Sequence, residues 1–179
     1  MKRFILVSSL MLAAPAAATP HHAHYHYMVG ARANTGMSFS KQLHFEATQP
    51  GNFHLDLART NAADLQRLAQ EIQVWVAATE KVNTPEDAAL IQSHLERMRD
   101  EARKLEADSR ELGEWINGAL ASGPKSSADE TLRARIATRA GDVFHGFRRI
   151  MAAHKKAEEA LGIPTPADPP AATDSAASG

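Results

Sequence analysis

Four of the nine histidines of this 179-residue chain fall within six positions, at His21, His22, His24 and His26, and Met28 follows two residues later. Imidazole is the commonest protein ligand for zinc, copper and nickel, and a thioether biases a site toward Cu(I). If the chain is extended there, the alternation His24-x-His26-x-Met28 turns three donors to one side. His44 and His54 could complete the set if the segment between them folds into a hairpin. The expected ligands are therefore His21, His22, His24, His26, Met28, His44 and His54, and the expected ion is copper or zinc. One amino-terminal copper motif, with histidine third, is blocked: Pro20 stands second once a leader ending at Ala18 is removed. The competing reading is a solvated His/Tyr-rich stretch without an ordered site, because histidine density is a signal of composition, not of geometry.

A second set comes from setting two long helices side by side. With an antiparallel turn near residue 124, facing positions sum to about 248. His94 then meets His154, and Met98 shares their level. Such a layer could hold a soft metal, or offer Met98 and His154 as axial ligands to a b-type haem. The ordinary explanation is core, with methionine as filler and a histidine bonded to a neighbour. No Gly-x-Ser-x-Gly, phosphate loop or His-Glu-x-x-His is present, so no enzyme is expected.

Composition narrows the setting. Residues 1–18 read as a cleaved signal peptide, with Lys2 and Arg3 before an apolar run from Phe4 to Ala14 and small residues at Ala16, Ala17 and Ala18. That run is too short to span a bilayer, which takes about 20 residues, so no stable membrane insertion is expected after cleavage. The expected location is periplasmic or secreted. The leader holds two of the 20 basic residues and none of the 21 acidic ones, which leaves a charge of −3 and argues against a nucleic-acid partner. With no cysteine, the fold must be held by its core alone.

The elements that must position these residues are mostly helical. From Thr84 to Gly123, apolar residues at Ile91, Leu95, Met98, Ala102, Leu105, Leu112, Ile116 and Ala119 step by fours and threes, the stripe of a long helix with a partner. Thr84-Pro85-Glu86-Asp87 is a strong start signal. A shorter helix is expected before it, from Asn61 to about Lys81. A second long one is expected after it, opened by Ser127 and Glu130 and closed by Gly162 and Pro164. Between 37 and 57 the period is two: Met37, Phe39, Leu43 and Phe45, then Phe53, Leu55 and Leu57 after the turn signal Gln49-Pro50-Gly51-Asn52. That pattern predicts either a hairpin, with Phe45 opposite Leu55 and Glu46 beside His54, or irregular coil lying on the helices.

The expected fold is thus all-α: an antiparallel three-helix bundle with two long helices and one shorter, preceded by an irregular or β-hairpin segment. The expected divisions are the signal peptide 1–18, a His-rich segment 19–59, a bundle 60–162 and a disordered Pro/Ala tail 163–179. The short helix leaves an apolar seam from Leu112 to Ile136 open, to be covered by the N-terminal segment, a protein partner or a homodimer. Three functions follow. The first is a metal-binding protein for sequestration, sensing or delivery. The second is an interaction, adaptor or chaperone-like module using the seam, and the third a haem electron carrier.

Overall fold

The computed structural model describes residues 20–49, 51, 53–123 and 129–163, with side chains from residue 24 onward. Four helices follow one another: α1 (Pro20–Thr48), α2 (Leu55–Val82), α3 (Pro85–Ala121) and α4 (Glu130–Ala160). Each packs against the next and α4 returns to α1, which closes a four-helix ring around one core. The expectation of three helices behind a hairpin or coil is therefore corrected. The His-rich segment is itself a helix, and no strand occurs among the described residues. The signal-peptide assignment at 1–18 and the tail beyond residue 163 lie outside the described residues.

The alternating apolar pattern misled because α1 buries small and polar residues and exposes a large one. His26, Val29, Ala33, Gly36, Ser40, Leu43 and Ala47 are all buried, and their steps of three and four make an unbroken heptad seam. Phe45, one of three phenylalanines in the expected hairpin pattern, is 60% exposed. Close approach replaces bulk along this seam: a Cβ on Gly36 would lie 2.5 Å from the ring of Phe147 on α4. On α4 itself, Gly146 receives Leu105 of α3 in the same way.

α1 covers the strip that three helices would have left open. Leu112, Ile116 and Ile136 are fully buried, in one core with Leu43, Ala47 and Phe53. Burial of a side chain of this size stabilises by about 1.5–3 kcal/mol, so the seam is closed within the chain. The cross-strand pairs expected of a hairpin are absent: Glu46 accepts from Gln42, Asp56 pairs with Arg59, and His44 meets α4.

Helix ends follow local chemistry. Thr84 Oγ1 accepts the Asp87 N–H at 3.1 Å with Pro85 behind it, as the sequence predicts. α2 starts at Leu55, six residues before the expected Asn61, which is instead buried inside the helix. α4 is capped by Asp129, whose carboxylate accepts from the N–H groups of Thr131 and Leu132. Ser127, the expected cap, lies outside the described residues. Arg149 to Glu101, Arg139 to Asp108 and Arg99 to Glu80 tie neighbouring helices across their edges.

Candidate functional site

The helical form of α1 redistributes the N-terminal donors. Residues two apart on a helix point to nearly opposite sides, so His24 and His26 separate, while those four apart share a face. His24 is exposed, Met28 half-buried, and His26 is 1% exposed in the seam against α4. Positions 21 and 22 belong to the first turn, and their side chains lie outside the described ones.

The antiparallel packing of α1 on α4 brings His154, from near the other end of the chain, against His26. Their ring centroids are 5.7 Å apart. His154 Nε2–H donates to the carbonyl oxygen of His26 at 2.6 Å, so that whenever the ring is neutral its lone pair lies on Nδ1. A backbone carbonyl holding one ring nitrogen is the usual outer-shell support of a metal-ligating histidine. Space for the ring comes from Gly30, where a Cβ would sit 3.1 Å from His154 Cε1 and 3.5 Å from Nδ1.

One turn beyond, Glu158 Oε1 lies 3.5 Å from His154 Nε2. Burial raises the Glu158 carboxyl above its ordinary value, and the neighbouring His154 pulls part of the way back. Neither Gly30 nor Glu158 was singled out by the sequence reading. Each stands four residues from a histidine of this pair, and that spacing is the signal that could have found them.

His24, on the other side of α1, joins an aromatic group with α2. Its ring is 6.0 Å from Trp75 and 5.8 Å from Tyr25, and Tyr25 is 5.8 Å from Trp75. Arg32 ties the same pair of helices together through Glu71, which also binds Arg67.

The remaining expected ligands lie elsewhere. His44 is on the fifth turn beyond His26, about 27 Å along α1, where its Nδ1–H donates to the Ala137 carbonyl at 2.8 Å. His54 is the exposed N-cap residue of α2 and makes no capping bond with its side chain. Met98 is buried in the α3 seam and His94 is half-buried on the same helix, whereas His154 turns its ring toward α1. Among the described residues, no three His, Cys, Asp or Glu side chains come together as a set able to hold a metal ion.

One contrast separates the seams of the bundle. Among the described residues, arginine–carboxylate pairs link α1 to α2, α2 to α3 and α3 to α4. The α1–α4 seam has no such pair and is fastened instead by imidazole–carbonyl bonds at both ends. No family model, curated protein or solved structure matches this chain.

Proposed function

We propose that the chain is an exported helical-bundle protein that binds a transition-metal ion, copper or zinc, at the end where α1 begins and α4 finishes, for sequestration, sensing or delivery. The observation that carries the reading is the meeting of His26 with His154, a buried imidazole pair beside the turn that carries His21, His22 and His24. His154 Nδ1 and His26 supply donors from two helices, and His21 and His22, expected ligands one turn earlier in the chain, are the natural source of the rest. Neutral imidazoles suit either ion, and the nearby Glu158 carboxyl can balance charge as it ionises.

Trp75, packed on Tyr25 and His24 at the start of α1, reports copper(II) bound at that end of the bundle by quenching. Copper titration of the mature chain, followed by tryptophan emission and calorimetry, is compared with a variant carrying His21→Ala, His22→Ala and His24→Ala, which leaves the buried pair intact. The expected result is quenching in the parent and affinity lower by about tenfold or more in the variant. Equal affinity, or no binding by the parent, overturns the reading. The interaction-module reading loses its motive, because the Leu112 to Ile136 seam is buried. The haem reading is not favoured, since His154 is turned to α1 and away from Met98.

A further inference from the structure

At the opposite end of the α1–α4 seam, Lys41, His44, Gly141, Phe144 and His145 line a cleft of about 270 Å³. We propose that His44 and His145 form a second, separate transition-metal site there, with water completing the coordination. Its donors come from both sides of the seam, His44 from α1 and His145 from α4.

The His44 ring is already set for this role. Its Nδ1–H is spent on the Ala137 carbonyl at 2.8 Å, so the neutral ring presents Nε2 as its lone pair, and the backbone bond holds the ring in place. Gly141 lies beside the ring, where a Cβ would stand at ordinary contact distance, 3.8 Å, from His44 Nδ1. His145 stands one helical turn after Gly141, its ring edge-on to Phe144 at 5.4 Å. Both histidines are exposed, so an ion can enter from solvent without any movement of the core.

Among the described residues no carboxylate lines the cleft, and Lys41 is the charged side chain that does. Unprotonated imidazole is a metal donor and a poor anion ligand, which favours a cation despite the lysine. Lys41 then opposes the ion, so removing its charge tightens the binding of a cation held in the cleft. This site does not depend on the one proposed at the start of α1, because the two lie about 27 Å apart along that helix.

The test is histidine Cε1–H NMR of the mature protein during titration with Cu(II) and, in parallel, calorimetry with Zn(II). The His44 and His145 signals are expected to broaden together, separately from those of His24 and His26. His44→Ala and His145→Ala are each expected to weaken this binding event by about tenfold or more, with no further loss in the double variant. Lys41→Gln is expected to tighten it by about two- to fivefold, the range of an exposed charge interaction. Unchanged His145 and His44 signals overturn the proposal, as does weaker Cu(II) binding in Lys41→Gln, because a cation held beside an ammonium group gains from its removal. If only the α1 N-terminal signals respond, this proposal fails and the first stands. If only His44 and His145 respond, the reverse holds.

Discussion

Two glycines and one carboxyl show how much a single residue decides here. Gly36 stands under the Phe147 ring, where a Cβ would lie 2.5 Å from ring carbons that are themselves fully buried. Gly36→Ala is therefore expected to destabilise by about 1–3 kcal/mol, the usual cost of overpacking, even though alanine is the better helix former. Gly113, with nothing within 4 Å of a Cβ, gives the opposite sign: Gly113→Ala should stabilise by about 0.5–1 kcal/mol. Urea unfolding of both variants checks the pair. Glu158 makes a prediction in pH. Burial raises its carboxyl above the ordinary 4.5. Below that value the group is neutral in folded and unfolded chains alike. As pH rises, the unfolded chain ionises first, so the stability contributed by the protonated form is lost up to the folded-state pKa. Glu158→Gln removes this titration, and its unfolding free energy should vary less from pH 4.5 upward than that of the parent.

At the scale of the element, the long helices were legible and α1 was not. α3 and α4 bury Leu, Ile, Met and Phe at heptad spacing, and Thr84-Pro85 marks where the first of them begins. α1 has the same spacing, but its seam is His, Val, Ala, Gly, Ser, Leu and Ala, residues that carry little hydrophobic contrast with the outer face. Its exposed face meanwhile holds Phe45, which supplies a false period of two. The turn signal at residues 49–52 falls between α1 and α2, so the sequence pattern joined it to the wrong kind of element. The candidate site was legible as a histidine cluster, but not as a meeting of His26 with His154, because that contact depends on a fourth helix. Leu43 and Phe45 test the element directly, since a hairpin puts them on one face and a helix separates them. Leu43→Ala should cost about 2–5 kcal/mol and Phe45→Ala less than about 0.5 kcal/mol, measured by thermal or chemical unfolding.

At the scale of the molecule, the closed ring joins the two ends of the sequence. The bond from His154 to the His26 carbonyl spans 128 positions, and closing so long a loop costs on the order of 4 kcal/mol of chain entropy. The other three seams join neighbours in sequence and are cheap to close. The order of assembly follows: α2, α3 and α4 can pair early, while α1 docks on α4 only after the rest has taken shape. Two tryptophans report seams between sequence neighbours, because Trp115 packs under Arg135 across α3 and α4 and Trp75 contacts Tyr25 and His24 across α1 and α2. In stopped-flow refolding of single-tryptophan variants, both signals are expected to mature before the chain gains full resistance to urea in a double-jump experiment; maturation of both only together with that resistance would contradict late closure of the α1–α4 seam. Folding kinetics thereby gate the proposed site, for the His26–His154 pair exists only in chains whose last seam has closed.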